Sequence, residues 1–380
     1  MRHLYVHVPF CQRRCSYCDF AIAVRRRIPA DAYVAAVERE LALVAAAERD
    51  GAAREPLETV YLGGGTPSLL PAEAVAALLR TVRERSGGEP GEWEGIELTL
   101  EANPEDVTAE RAAAWRRAGV NRVSLGAQSF DDRVLAWMHR SHDARAIGDA
   151  VRTLGRAGLT NVSLDLIFAL PAELGRDWGH DVAQALALGP PHLSLYGLTV
   201  EERTPLARWI ARGRSAAPDD ARYAEEYLAA HAWLGAAGYE FYEVSNAARP
   251  GGRARHNAAY WSGRPYLGLG PAAHSFDGRA RRWNVAAWEA YRRALLAGRR
   301  PLEAEEVLTP EARELERRYL GLRTERGLAL GGESALAARA ARWVAAGWAR
   351  RAGERVCLTP EGWLRLDALM GDLTGPGQRT

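Results

Sequence analysis

Short apolar runs alternate with longer segments of helical periodicity over the first half of the chain. Six runs are rich in β-branched and large apolar residues, which is typical of buried strands. These runs are 4–8, 59–62, 96–100, 122–125, 161–166 and 192–196. Between them, apolar residues recur at helical spacing, and helices are predicted at 31–48, 71–84, 108–118, 132–138, 143–157 and 177–188. The alternation predicts an α/β fold with a parallel sheet.

Polar or glycine residues follow each predicted strand. Because the carboxyl ends of parallel strands meet at one edge, and ligands bind at that edge, these residues are expected to surround a single mouth. The residues concerned, in or next to the first five strands, are Cys11, Gly64, Glu101, Gln128 and Asp165.

The second half of the chain changes character. A helix is predicted at 219–237, a strand at 240–244, and an arginine- and glycine-rich loop at 247–255. From about residue 302 the pattern predicts helices at 310–322, 334–346 and 360–373, with a wing strand near Cys357, as in a small winged-helix-like domain. The predicted domains are therefore a partial barrel (1–240), a connecting region (241–300) and a C-terminal domain (301–380).

Composition and charge limit the classes of function. The formal net charge is +2, and residues 301–380 hold twelve arginines against twelve acidic residues. Nucleic-acid binding requires a basic stripe, so none is expected. There is no apolar run near the ~20 residues of a membrane span and no signal-peptide pattern. A cytoplasmic protein is predicted, as a monomer or a dimer.

Three of the four cysteines lie close together, with the spacing C-x3-C-x2-C at Cys11, Cys15 and Cys18. Soft thiolates suit zinc or an iron–sulfur cluster. Three ligands to an Fe4S4 cluster leave one iron free for a substrate or cofactor. Structural zinc sites generally have two ligand pairs, and no second pair is present here. The cluster is favoured, with Tyr17 and Phe20 expected to shield it from water.

A triple glycine, 63–65, follows the second predicted strand and precedes Thr66. Glycines allow a backbone to approach a ligand closely, although the same run can be only a tight turn. The G-x-G-x-x-G spacing of a Rossmann site is absent. Glu101 and Asp165 suit ribose hydroxyls, and Arg140 suits a carboxylate.

Five motifs occur in an order that resembles one family. They are Tyr-Val-His-Val-Pro-Phe-Cys, Leu-Gly-Gly-Gly-Thr-Pro-Ser, Leu-Glu-Ala-Asn-Pro-Glu, Ser-Leu-Gly-Ala-Gln-Ser-Phe and Asp-Leu-Ile-Phe-Ala-Leu-Pro. Over residues 4–290 the chain is similar to the radical S-adenosylmethionine (SAM) superfamily, and within it to the oxygen-independent coproporphyrinogen III oxidase-like family, HemN, with its HemW-type heme chaperone branch. The resemblance implies an incomplete (α/β)6 barrel and SAM on the fourth iron of the cluster.

The same resemblance implies room for two SAM molecules. Residues Tyr5, Gly64 and Glu101 match positions that contact the first SAM. The matches for the second SAM are Gly65, Thr66, Gln128, Arg140 and Asp165.

Two departures from the oxidase pattern favour the chaperone branch. Phe20 stands where the oxidase has a further cysteine, and the chain enters its first strand without a long extension. The branch also carries a His-Asn-x-x-Tyr-Trp motif, found here at 256–261. A smaller departure is Phe168-Ala169, where the family usually has Tyr-Gly.

The motif makes His256 the expected heme contact, since imidazole is a common heme ligand, and His7 is its rival. Seven arginines against one acidic residue in 249–282 suit heme propionates. The predicted function is a heme chaperone for apo-hemoproteins, with a transient membrane-protein contact. The alternatives are a radical SAM enzyme, either a coproporphyrinogen III dehydrogenase or a HemN-like methyltransferase, and a zinc-stabilised DNA-binding regulator.

Overall fold

A nine-stranded sheet organises the computed structural model, which describes residues 2–47, 56–88 and 93–374. Six parallel strands follow one another across it in chain order, which confirms the predicted α/β sheet. They are β1 (His3–Val8), β2 (Thr59–Gly64), β3 (Glu97–Ala102), β4 (Arg122–Gln128), β5 (Val162–Phe168) and β6 (His192–Gly197). The predicted helix end at Glu48 and part of the connection before β3 lie outside the described residues.

Three short strands extend both edges of the sheet. Leu267–Leu269 pairs in parallel with β1, whereas Asn246–Ala248 pairs antiparallel with β6 and with Glu240–Phe241. The strand predicted at 240–244 is therefore shorter than expected, Asn246–Ala248 overlaps the start of the predicted loop 247–255, and no strand is predicted at 267–269. Runs of two or three residues, one of them glycine-containing, are too short to show a period of two.

Helices connect the strands and cover the outer face of the sheet, where they bury a continuous apolar core. In the first part of the chain they are Ala30–Ala47, Ala72–Arg85, Ala109–Ala118, Asp132–Trp137, Ala144–Arg156, Trp178–Leu188, Pro205–Ala211 and Asp220–Ala236. Short 3-10 turns follow at Pro67–Leu69, Pro104–Asp106 and Ala172–Leu174.

The remaining elements form two small sheets and six helices. One antiparallel sheet contains His274–Phe276, Ala280–Asn284 and Leu302–Val307, and the other contains Leu328–Ala329, Arg355–Leu358 and Ala349–Ala352. The helices are Arg255–Trp261, Trp288–Leu296, Pro310–Arg323, Ser334–Ala345, Pro360–Trp363 and Leu366–Thr374. The hairpin 349–358 corresponds to the predicted wing. None of the helices described is long and apolar enough to span a bilayer.

The inner face of β1 to β3 is polar and aromatic, and its side chains lie in layers set by the strand register. His3 pairs with Thr59, and Thr59 pairs with Glu97, at the amino ends of the strands. Tyr5 pairs with Tyr61 one layer above. Alternate residues of these strands are buried against the helices, so this inner face is free to carry chemistry.

A buried carboxylate attaches the later part of the chain to the first helix. Glu40 accepts hydrogen bonds from the Gly270 backbone N–H at 2.8 Å, from the Tyr291 hydroxyl at 2.6 Å and from Asn284. Burial raises the pKa of Glu40 to about 7. These contacts fix the segment after Leu267–Leu269 against the barrel.

Candidate functional site

A cavity of about 380 Å³ opens at the carboxyl ends of the parallel strands. Its walls come from the cysteine loop and from the ends of β2 to β6, as expected for an α/β sheet. Eleven of the thirteen site residues predicted from sequence line it. They are Cys11, Cys15, Tyr17, Cys18, Gly64, Gly65, Thr66, Glu101, Gln128, Arg140 and Asp165.

The cysteine loop runs between two short paired strands, Phe10–Cys11 and Ala23–Val24. All three cysteines are partly exposed toward the cavity. The Thr66 hydroxyl donates to Cys11 Sγ at 3.4 Å, and Arg140 Nη1 donates to Cys15 Sγ at 3.6 Å. Burial raises the pKa of Cys11 to about 11, so ionisation at neutral pH depends on a bound cation.

The donor set fits an iron–sulfur cluster. Hydrogen bonds to ligand sulfurs and a positive guanidinium beside them both stabilise thiolates. Among the residues described, no three histidine, cysteine or acidic side chains converge on a single-ion site. In a four-iron cluster each thiolate binds a different iron, so convergence on one point is not required.

Glu101 ends β3 and faces the cavity. Its carboxylate accepts the Tyr61 hydroxyl at 2.8 Å and the Gly64 backbone N–H at 2.9 Å. Burial, together with the charge of Asp165, raises the pKa of Glu101 to about 7. Gly64 has φ of 112°, and a Cβ there would lie 2.6 Å from the His7 ring. Only glycine fits at position 64, and its backbone N–H is already hydrogen-bonded to Glu101.

Two further charged side chains face the same cavity. Asp165 accepts from the Ser124 hydroxyl at 2.9 Å, and burial raises its pKa. Arg140 donates to Asn103 Oδ1 at 2.6 Å and to the Gly126 carbonyl at 2.9 Å. Its Nε is buried without a partner among the described atoms, which leaves the guanidinium a donor to offer.

The aromatic residues of the cysteine loop differ in position. Tyr17 packs against a small apolar cluster that includes Met138 and Leu206. Phe20 is 57% exposed but lines the same cavity, so its expected role beside the cluster stays a prediction. Gln128 lines the cavity with φ of 68°, a left-handed conformation that non-glycine residues rarely adopt. Such strain is found most often at functional sites.

His256 does not belong to this cavity. It lies in the helix Arg255–Trp261 at the opposite, amino ends of the strands, and it is 1% exposed. Its Nδ1 lies 2.7 Å from Thr59 Oγ1, and its Nε2 lies 2.8 Å from the Tyr260 hydroxyl. The carboxylate of Glu97 accepts the N–H of His256 at 2.9 Å and so satisfies the start of the helix. Both ring nitrogens are engaged, so His256 is not available to heme iron in this conformation.

Tyr5 and His7 also lie outside the cavity at the carboxyl ends of the strands. The Tyr5 hydroxyl lies 3.0 Å from His7 Nδ1, and His7 Nε2 lies 3.1 Å from the Ala21 carbonyl. Both residues line a second cavity, on the side of β1 that faces the later chain. His7, the rival heme contact, therefore has no free ring nitrogen either.

Most arginines predicted to meet propionates are already paired. Arg253 donates to Glu325 and Glu240, Arg264 lies 3.2 Å from Glu58, and Arg282 contacts Asp277 and Glu305. Arg281 is paired with Glu316. All of these acidic partners except Asp277 come from other parts of the chain, which is why a count over residues 249–282 overstated the free positive charge.

Comparisons with known proteins place the chain in a family. The model of the radical SAM superfamily matches residues 5–185. Heme chaperone HemW of Mycobacterium tuberculosis (strain ATCC 25618 / H37Rv) is 41% identical over 377 residues, which are 98% of this chain and 94% of the relative. The chain belongs to the HemW family. Heme chaperone HemW of Bacillus subtilis (strain 168) is 33% identical over 332 residues, covering 86% of this chain and 85% of the relative.

Among solved structures, coproporphyrinogen III oxidase (HemN) from Escherichia coli, a radical SAM enzyme, superposes with a TM-score of 0.81. At 22% identity, over 97% of this chain and 88% of that chain, this likeness shows the fold. Membership of the radical SAM superfamily implies a 4Fe–4S cluster and SAM. In this HemW-family chain the cysteine loop would hold the cluster, and the cavity beside it has donors and acceptors for SAM.

Sequence reasoning did not single out several residues of the cavity. Asn103 fixes Arg140, Ser124 fixes Asp165, and Tyr196 lines the wall from β6. Ser124 lies beside Glu101 in the strand register. The signal for such residues is their place on the inner face near a strand end, which becomes visible only once the register is known.

Proposed function

We propose that this protein is a heme chaperone, which binds heme and delivers it to apo-hemoproteins in the cytoplasm. The observation that carries the proposal is the similarity along nearly the whole chain to proteins named heme chaperone HemW. The cluster cavity supports it, because it brings together the three cysteines and the residues expected to bind SAM, with the exception of Tyr5.

Within the cavity, Cys11, Cys15 and Cys18 would hold the cluster, and Glu101 would accept polar hydrogens of SAM. Two SAM molecules are proposed, with Arg140 and Asp165 serving the second. SAM, when bound, supplies a ligand to the fourth iron. The chain's own part is to bind and orient it, since Glu101 and Asp165 are held by Tyr61 and Ser124.

The test is anaerobic heme binding and transfer. The purified chain, with its cluster reconstituted, is titrated with heme, and the Soret band is followed by difference spectroscopy against cluster-loaded protein. Saturable binding is expected, followed by transfer to an apo-hemoprotein such as apomyoglobin, with and without SAM. Absence of saturable binding would reject the proposal.

A radical SAM enzyme is the second candidate, because the same cavity places the three cysteines beside the polar side chains expected to bind SAM. Turnover of coproporphyrinogen III, or rescue of an oxidase-deficient strain, would promote this candidate. Heme binding and coproporphyrinogen III turnover should be measured on the same preparation, so that loss of the cluster cannot explain a negative result.

A further inference from the structure

A cleft separates the barrel from the C-terminal part of the chain, and its lining differs from that of the cluster cavity. Two adjoining cavities of about 380 and 450 Å³ form it. They share wall residues, namely Trp261, Gly263, Phe276, Glu316 and Leu320. Each lies in the size range of small-molecule sites.

The lining of the cleft is aromatic and basic. Tyr5, Tyr260 and Tyr266 join Trp261 and Phe276 along the smaller cavity. Over both cavities seven arginines face two glutamates. A flat aromatic dianion matches such a surface, because rings pack on rings and carboxylates pair with guanidinium groups.

One histidine in this cleft has free ring nitrogens. His274 is exposed, and its side chain has no hydrogen-bond partner among the described residues. Its ring stacks on Trp283, the residue opposite it on the next strand, at 5.7 Å between centroids and 19° between planes. Stacking fixes the ring while leaving both nitrogens available. His7, which shares the cavity, has both nitrogens occupied.

We propose that this cleft binds the heme cargo, with His274 as the axial ligand to its iron. The inference rests on the proposed function and names the site for it. Imidazole is the protein ligand most used for heme iron, and His274 offers it beside the aromatic walls a porphyrin requires. His256 instead lies behind Tyr260 and holds that wall in place.

The propionates are assigned to arginines that have no acidic partner. Arg313 and Arg326 line the larger cavity, are exposed, and make no side-chain ion pair among the described residues. Arg253, Arg264 and Arg281 are already paired with glutamates. A carboxylate gains most from a guanidinium that does not have to give up another partner.

The heme cleft and the cluster cavity are divided by a thin wall. His7 lines the cleft, and Gly64, which lines the cluster cavity, lies so close to the His7 ring that a Cβ would clash with it. The cargo site is therefore separate from the cluster but adjacent to it.

The test uses the full chain, with its cluster reconstituted, and iron protoporphyrin IX as the probe. In ferrous heme-loaded wild type, resonance Raman should show an iron–histidine stretching band. His274→Ala should lose this band and bind heme at least tenfold more weakly. Added imidazole should restore a ligand band. His180→Ala, which removes an exposed histidine on the helix Trp178–Leu188, is the matched control and should behave like wild type.

The outcomes separate this inference from the proposed function. An unchanged band in His274→Ala overturns the assignment, while heme binding by the wild type keeps the chaperone proposal. No heme binding by the wild type overturns both. Cluster content, measured in every variant, shows whether the fold is intact.

The propionate assignment has its own readout. The double variant Arg313→Glu/Arg326→Glu should weaken heme binding about tenfold and leave the iron–histidine band unchanged, because only the charge pairing is lost. Arg350→Glu/Arg351→Glu makes the same charge change at two exposed residues of the strand Ala349–Ala352, in the same C-terminal part, and should have no effect. Equal affinity of the double variant and the control would reject the arginine assignment.

Discussion

The two ends of the inner sheet face use similar side chains in opposite ways. At the carboxyl ends, Glu101 and Asp165 are held by one or two donors each and still border a cavity. At the amino ends, Glu97 and Thr59 are covered by the helix that carries His256. A polar residue on this face is available to a ligand only where no helix covers it.

The difference shows what a motif in a sequence does and does not establish. The His-Asn-x-x-Tyr-Trp segment indicates a constrained site, and the structure shows the constraint: His256 links β2 to Tyr260. The motif is compatible with a heme ligand and equally with a buried histidine that only makes hydrogen bonds. The two cases differ in whether the ring nitrogens are free, which only the packing reveals.

The largest effect is expected from removing a cluster ligand in the cavity at the carboxyl ends of the strands. Cys15→Ser should reduce bound iron and sulfide to background, because a hydroxyl is a poor substitute for a thiolate. Iron and sulfide analysis after anaerobic reconstitution measures this. Cys357→Ser is the matched control: Cys357 is buried in the C-terminal sheet, so the variant should keep its cluster. Full cluster content in Cys15→Ser would remove the cysteine loop as the cluster site.

At the opposite end, His256→Ala should mainly affect stability. The change removes the partner of the Tyr260 hydroxyl, leaves Thr59 with His3 alone, and opens a void, at a cost of about 3 kcal/mol in the free energy of unfolding. Chemical denaturation of the apo protein measures it. Exposed His274→Ala should change that free energy by less than about 0.5 kcal/mol. The reverse ranking would contradict the contrast between the two histidines.

His256 should also give an acid limit to stability. Burial lowers the pKa of His256 to about 3, below its ordinary value of 6.5. In the unfolded chain the ring takes up a proton below about pH 6.5, while the folded ring stays neutral. Stability is therefore lost as the pH falls from about 6.5 toward 3. His256→Gln should flatten this part of the pH profile, and an unchanged slope would show that other groups dominate.

Glu101, at the carboxyl ends of the strands, should make SAM binding depend on pH. Its pKa is raised to about 7, so the carboxylate form grows as the pH rises. An ionised acceptor binds hydroxyl and ammonium hydrogens better, and SAM affinity should increase about tenfold between about pH 6 and pH 8. The raised pKa acts on folding with the other sign, since stability falls as the pH rises from about 4.5 toward 7.

The measurement is SAM binding to cluster-loaded protein by equilibrium dialysis across this range. Glu101→Gln should bind SAM more weakly and lose the pH dependence. Glu105→Gln is the control, because Glu105 lines the same cavity but is paired with His142. A profile that persists in Glu101→Gln would assign the titration to another group.

Much of the cluster cavity could be predicted from the sequence, because the carboxyl ends of parallel strands lie at one edge of a sheet. Once six strands alternate with helices, the residues after each strand must meet, and Glu101, Gln128 and Asp165 do so. The cleft could not be predicted in this way. His274 lies in a strand of three residues and Arg313 in the separate helix Pro310–Arg323, and their placement around one cleft depends on short strands such as Leu267–Leu269 that carry no periodic signal.

Two alanines with left-handed backbone conformation allow a finer comparison, between the carboxyl ends of the strands and the cleft. Ala169 follows β5 with φ of 58°, and Ala272 lines the cleft with φ of 59°. Glycine relieves about 1–2 kcal/mol of backbone strain but adds about 0.5–1 kcal/mol of unfolded-state entropy.

The methyl group decides the sign of each change. Ala169 is fully buried, so losing its methyl costs about 0.8 kcal/mol and Ala169→Gly should leave stability nearly unchanged. Ala272 is half-buried, so Ala272→Gly should gain about 0.5 kcal/mol. Ala113→Gly, in the helix Ala109–Ala118, should lose about 1 kcal/mol and calibrates the series. If Ala272→Gly instead loses as much as Ala113→Gly, the left-handed conformation in the cleft is not strained, and the cleft differs from the mouth in this respect too.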